Sequence, residues 1–116
     1  MGDVTNNDGT GHYSVYNNEY VEDEFSSKLN FNTDMVVGLC NTGKPNTNGS
    51  QFFITLDDIP SLNGKHTIIG KVTSGSKLLK ALSYRYGTIN GDPNNELRIL
   101  SSGILKLSEY KQNKKI

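Results

Sequence analysis

Gln51, Phe53, Leu62 and His66 are the side chains whose types and spacing could do chemistry here. Gln51 and Phe53 lie in Asn46-Thr47-Asn48-Gly49-Ser50-Gln51-Phe52-Phe53-Ile54-Thr55. Leu62 and His66 lie in Leu62-Asn63-Gly64-Lys65-His66-Thr67-Ile68-Ile69-Gly70-Lys71-Val72. An amide can anchor a ligand by hydrogen bonds, a ring and a leucine can wall an apolar pocket, and an imidazole can donate to a carbonyl. Plainer readings stand beside these: Gln51 as an exposed strand residue, His66 as packing ahead of a strand. Metal chemistry is not expected, because two histidines and one cysteine do not fall at ligand spacing. Cys40 has no partner for an internal disulfide, and it reads as a small buried hydrophobe rather than a reactive thiol. Arg85 and Arg98, the sequence's two arginines, read as surface residues.

The elements that must position these residues are short. Apolar, β-branched runs predict strands over residues 35–40, 51–56 and 67–72. The loop 41–49 contains Pro45 and the turn pair Asn48-Gly49, and residues 57–64 read as a turn with room for one helical turn. Ser74 and Ser76 offer N-caps for a helix over 77–84, with Leu78, Leu79 and Leu82 on one face and Gly87 as its stop. Alternating polar and apolar residues predict two more strands over 96–100 and 103–107. Five strands and one helix imply a mainly β, antiparallel, barrel-like domain without an internal boundary.

Bulk properties exclude several classes of function. With 116 residues the chain fits one domain. Twelve Lys and Arg balance twelve Asp and Glu, so no positive field exists to attract nucleic acid or an anionic membrane. Lys111, Lys114 and Lys115 form a basic tail over 111–116, best read as a solvated, frayed end. No run of about 18 apolar residues suggests a membrane span, and the polar N-terminus lacks the apolar core of a signal peptide. The single thiol suits a reducing, cytoplasmic setting. Fourteen asparagines and twelve glycines mark a turn-rich chain with a modest core.

The two quoted blocks closely resemble the signature of the cyclophilins, a family of peptidyl-prolyl cis/trans isomerases. Gly2-Asp3-Val4-Thr5 with Gly9-Thr10-Gly11 is similar to the family's Gly-Asp loop, and Tyr16 to Phe25 resembles its acidic segment. The resemblance implies a cyclophilin-like closed antiparallel β-barrel with a capping helix, of which residues 1–110 hold the C-terminal portion. It also implies that the family's N-terminal strands, first helix and catalytic arginine are not among these residues.

Rotation about an X-Pro bond faces a barrier of about 18–20 kcal/mol, because resonance makes the C–N bond partly double. What the resemblance implies is a catalyst without cofactor or metal, which grips proline in an apolar pocket and donates to the prolyl nitrogen. Phe53 matches the pocket floor, and Leu62 and His66 its wall. Gln51 matches a peptide-anchoring glutamine, and Asn41 a residue whose backbone pairs with the extended peptide. Cys40 and Thr42 flank Asn41, and Gly9 matches the mouth of a side pocket. The arginine that donates to the prolyl nitrogen has no counterpart here. Ser61 stands where many members carry a tryptophan linked to cyclosporin binding, which implies weak affinity for that drug. Lys44 is an extra residue in the 41–46 loop. The expected partners are proline-containing peptides or unfolded proteins. The implied function is isomerisation assisting protein folding; the alternative is a non-catalytic peptide-binding or scaffold module.

Overall fold

The computed structural model of the protein describes residues 1–17 and 19–109, so the basic tail over 111–116 lies outside the described residues. Strand β1 (Val36–Leu39) lies between β2 (Phe52–Ile54) and β3 (Ile68–Lys71), antiparallel to both. β2 sets Ile54, Phe53 and Phe52 opposite Val37, Gly38 and Leu39. On the other edge of β1 the register slips between Val37 and Gly38, which pair with Gly70 and Ile68 and leave Ile69 as an extra residue. A 3₁₀ turn (Pro60–Leu62) precedes β3, and helix α1 (Ser76–Tyr86) follows it.

Alternation along β1 decides which side of the sheet is dry. Val36 and Gly38 are buried while Val37 and Leu39 are half-buried, as expected for a pleat with one covered face. Phe31, Met35 and Val36 are the buried apolar residues, and Phe31 is completely enclosed. Thr55 extends the β1–β2 ladder past its last regular pair. Its N–H donates to Val36 O (3.0 Å), its Oγ1 accepts from Val36 N (3.0 Å), and its carbonyl accepts from Met35 N (2.7 Å). A buried hydroxyl thereby stands in for a backbone acceptor and leaves no orphan N–H at the strand's start.

Three expected strands and the helix are where the sequence places them, each within two residues. Two expectations need correction. Residues 96–100 and 103–107 form no strand, and the described residues make an open three-stranded sheet rather than a closed barrel. Alternation supplies a face but not a ladder partner, and no described segment pairs with these residues, so Leu100 and Ile104 stand 90% and 98% exposed. The helix face also differs. Leu79, Leu82 and Tyr86 are the half-buried set, spaced three and four apart, while Leu78 is open.

The chain divides into one compact unit over Met1–Leu82 and a second beginning at Ser83. From Ser83 to residue 109 only Tyr86 and Thr88 are even half-buried, so the described part of that unit has no core of its own. Gly87 ends α1 by donating its N–H to Ser83 O (2.9 Å). In the first unit Lys80 pairs with Asp34 (2.6 Å), both well exposed, a contact of small energetic weight.

Candidate functional site

Phe53 is held by what lies under it. Its strand partner is Gly38, where an added Cβ would come within 2.5 Å of the Phe53 ring and 3.1 Å of Phe31. The absence of a side chain at position 38 lets the ring come close against β1. On one side Phe53 stacks on Phe31 with centroids 5.7 Å apart; against His66 it makes an edge contact at 5.1 Å and 83°. Phe31 is itself fixed by polar groups: its N–H donates to Asn63 Oδ1 (2.7 Å) and its carbonyl accepts from Ile59 N (2.8 Å).

Leu62 ends the 3₁₀ turn, and its carbonyl accepts the N–H groups of Lys65 (3.1 Å) and His66 (3.3 Å). Leu62 thus shapes the chain that delivers His66. Asn41 ties the same segment to the end of β1. Its Nδ2 donates to Lys65 O (2.9 Å) and lies 3.3 Å from His66 Nδ1, while its Oδ1 accepts from Gly43 N (2.9 Å). His66 Nδ1 lies 2.9 Å from Leu39 O. A carbonyl oxygen can only accept, so Nδ1 carries the hydrogen and the neutral ring keeps Nε2 as an acceptor. Donation from Nε2 to a carbonyl, expected above, is therefore open only to the charged imidazolium.

Of the other sequence-derived residues, Cys40 donates its N–H to Gln51 O (3.0 Å) and is a free, half-buried thiol. Burial pushes that thiol's pKa up against a smaller opposing pull from the N-terminal ammonium, which favours the unreactive form. Thr42 is closed onto Thr47, whose Oγ1 accepts from both its N–H and its hydroxyl at 3.0 Å. Gln51 Nε2 donates to Gly9 O (3.0 Å) and Gly11 O (2.7 Å), which joins two expected residues, Gln51 and Gly9, by contact. Phe53 and Asn41 thus meet His66 at the end of β1, with the backbone carbonyl of Leu62 bonded to His66 N, and Gln51 with Gly9 forms a second group joined through Cys40.

A hollow of about 540 Å³ lies beside this cluster, lined by Phe25, Leu29, Phe31, Asn63, His66 and Ile68 among others. Phe53, Leu62 and Asn41 do not line it, so it meets the cluster through His66 alone among the four.

Sequence reasoning missed three supports. Asp23 and Asn46 exchange side-chain bonds with each other's N–H (2.9 Å each), and fully buried Asn48 donates to Asp23 Oδ1 (2.8 Å) and Val21 O (3.1 Å). That network staples the loop after β1. Phe31 was not singled out at all. Asp3 accepts five backbone N–H groups: Thr5 and Asn6 on Oδ1, and Asp8, Gly9 and Gly11 on Oδ2, all between 2.9 and 3.2 Å. An Asp before a Gly-rich loop, donors following at short spacing, is the signal that could have found it.

Those bonds, the one from Asn6 foremost and Gly11 next, hold the Asp3 carboxyl far below the usual carboxylate range. A depressed pKa means the folded loop gains from the ionised form above the unfolded value near ~3.9, and loses that gain only as pH falls through the lower folded pKa. In a two-dimensional NMR titration, the Gly9 and Gly11 amide signals are expected to stay fixed through about pH 4, where free carboxylates titrate. A midpoint near pH 4 for those two signals would contradict the bonding just described.

Comparison with known proteins places the chain in a family. The family model "Cyclophilin type peptidyl-prolyl cis-trans isomerase/CLD" matches residues 1–104. The chain is 39% identical over 108 residues to peptidyl-prolyl cis-trans isomerase D of Eremothecium gossypii, covering 93% of this chain and 28% of that one. It is 41% identical over 101 residues to peptidyl-prolyl cis-trans isomerase CYP18-2 of Arabidopsis thaliana, covering 84% and 58%. A crystal structure of a Cryptosporidium parvum cyclophilin superposes with a TM-score of 0.73 at 36% identity, over 81% of this chain and 58% of that one. The structure of that protein in the presence of the dipeptide Ala-Pro gives 0.67 over 74% and 54%. The chain belongs to the cyclophilin family, with a mainly β fold and few helices. It spans under two-thirds of the length of each of these relatives.

Proposed function

We propose that this protein binds X-Pro segments of other polypeptides and serves peptidyl-prolyl isomerisation in protein folding. The observation that carries the reading is the meeting of Phe53, His66, Asn41 and the Leu62 turn at one end of β1. Proline would rest on the Phe53 ring between Leu62 and His66. The flanking chain would run along Cys40, Asn41 and Thr42 in extended form, with Gln51 and Gly9 beside it. The relatives' names and the similar cyclophilin studied in the presence of Ala-Pro support the same substrate class. Weak cyclosporin affinity belongs to the proposal, since Ser61 is exposed and offers no indole. So does a cytoplasmic setting, where a free Cys40 stays reduced.

Turnover needs a donor aimed at the prolyl nitrogen as the amide twists and that nitrogen gains basicity. Neither arginine offers one: Arg98 is bound to Glu96 and Arg85 lies over Tyr86, 5.6 Å from the ring centroid. That favours, for these 116 residues alone, binding without acceleration, which is also what a non-catalytic module would do.

Exchange NMR on an X-Pro peptide tests both parts. Adding the chain is expected to shift the ring signals of Phe53 and His66 while cis–trans exchange keeps its uncatalysed rate, tens of seconds or slower. Accelerated exchange would show that some donor within these residues reaches the prolyl nitrogen. Unmoved ring signals would overturn the binding reading itself.

A further inference from the structure

We infer that Asp3 is a positioning residue for peptide binding, acting through the Gly9–Gly11 loop to fix the side-chain amide of Gln51 so that it meets a peptide only as a hydrogen-bond acceptor. The inference rests on the peptide-binding reading above and deepens it. Three observations join in a line. The Asp3 carboxylate gathers the N–H groups of Thr5, Asn6, Asp8, Gly9 and Gly11, which folds residues 3–11 around one anion. That folding leaves the carbonyls of Gly9 and Gly11 side by side, and both accept from Gln51 Nε2. Ser50 braces the same loop, its hydroxyl donating to Gly2 O (2.6 Å); Gly2 itself has φ +94° and approaches so closely that a Cβ would fall 2.3 Å from Ser50 O.

The consequence for Gln51 is a matter of inventory. A primary amide has two N–H donors and one carbonyl acceptor. Both donors are engaged by the loop, and Oε1 takes no hydrogen bond among the described residues. Gln51 can therefore accept a peptide N–H but cannot donate to a peptide carbonyl. A glutamine free to flip would do either, so the fixed orientation sets the polarity of the contact. Asp3 touches no peptide in this scheme; its part is to hold the two carbonyls that hold Gln51.

Asparagine at position 3 separates charge and acceptor count from shape. Whichever way its amide turns, an NH₂ group replaces one oxygen and faces either the two N–H groups on Oδ1 or the three on Oδ2. Asp3→Asn should thus loosen the loop with almost no change in volume.

The experiment measures binding of one X-Pro peptide, and of a set of copies each N-methylated at a single backbone position, to the unmodified chain, Asp3→Asn and Asp3→Glu. In the unmodified chain, one N-methyl position is expected to weaken binding about tenfold, because it removes the N–H that Gln51 accepts. Asp3→Asn should bind the parent peptide about tenfold more weakly and show no further loss at that position. Asp3→Glu, which keeps the anion, should recover part of both effects. The Gln51 side-chain NH₂ signals should be protected from solvent exchange in the unmodified chain and unprotected in Asp3→Asn. Sheet amides such as Leu39 and Thr55 report in the same spectra that the fold persists. An unmodified N-methyl penalty in Asp3→Asn, or unchanged Gln51 protection, would overturn the inference while leaving the binding reading intact. No binding of the parent peptide to the unmodified chain would overturn the binding reading and the inference with it. If Asp3→Asn does not fold, Asp3→Glu and the N-methyl series on the unmodified chain still decide: no N-methyl position with a penalty refutes Gln51 as acceptor.

Discussion

Replacing Phe31 by alanine is expected to remove about 3–5 kcal/mol of the protein's stability. The side chain is wholly enclosed, and among the described residues only Met35 and Val36 share its status as buried hydrophobes. Truncating a buried phenylalanine costs about 3–5 kcal/mol, through lost transfer energy and the cavity left behind. A domain's whole margin is only about 5–15 kcal/mol. Two polar bonds on the Phe31 backbone, from its N–H to Asn63 and from Ile59 to its carbonyl, would then rim a void rather than a ring. Urea unfolding followed by circular dichroism should show a midpoint lowered by the equivalent of about 3–5 kcal/mol. A loss below about 1 kcal/mol would mean that the core lies elsewhere.

The second large effect concerns the ligand. Phe53→Ala should weaken X-Pro peptide binding by about thirtyfold or more, equivalent to about 2 kcal/mol, as expected for a central aromatic anchor. The ring sits at the junction of the Phe31 stack and the His66 edge contact, so no neighbouring group can move in to replace its face. Stability should also fall, by less than for Phe31, since Phe53 is half-buried. Calorimetric titration measures the first quantity and thermal unfolding the second. Unchanged peptide affinity in a folded Phe53→Ala protein would exclude Phe53 from the binding surface.

How far these features were legible in the sequence depends on the range over which each is determined. The three strands of the sheet are local: β-branched runs between turn-forming residues specify them, and their observed bounds differ by one or two residues. The helix is local too, although which of its leucines turn inward depends on packing, which is why Leu78 was misassigned. Residues 96–107 show the opposite case. Alternation there is as regular as in a true strand, but a strand exists only with a partner, and pairing is a property of the whole molecule.

The candidate site divides the same way. Phe53, Leu62, His66 and Asn41 could be proposed because the motif sets them at recognisable spacings, and Phe53 and Asn41 both contact His66, while Leu62 reaches it through its backbone carbonyl. What spacing could not convey was how their hydrogen bonds are used. His66 gives its Nδ1 hydrogen to Leu39, across 27 residues, and Gln51 gives both amide hydrogens to a loop 40 and 42 residues earlier. The bonding role of Asp3, quoted only as part of a loop motif, and the parts played by Phe31 and the Asp23–Asn46–Asn48 network escaped notice for a related reason. They touch no ligand in any reading of the site, and their work lies in holding other groups still.

Gly38 extends that point to a position with no functional group at all. Glycine in mid-strand is a poor choice by propensity, worth roughly 0.5–1 kcal/mol against alanine, and a search for reactive side chains would pass over it. Yet a single methyl there would collide with the Phe53 ring and press tightly on Phe31. In lineages derived from this chain, residue 38 and the aromatic floor can drift only in concert, so a bare stretch of backbone sets a boundary on how the recognition surface can diversify.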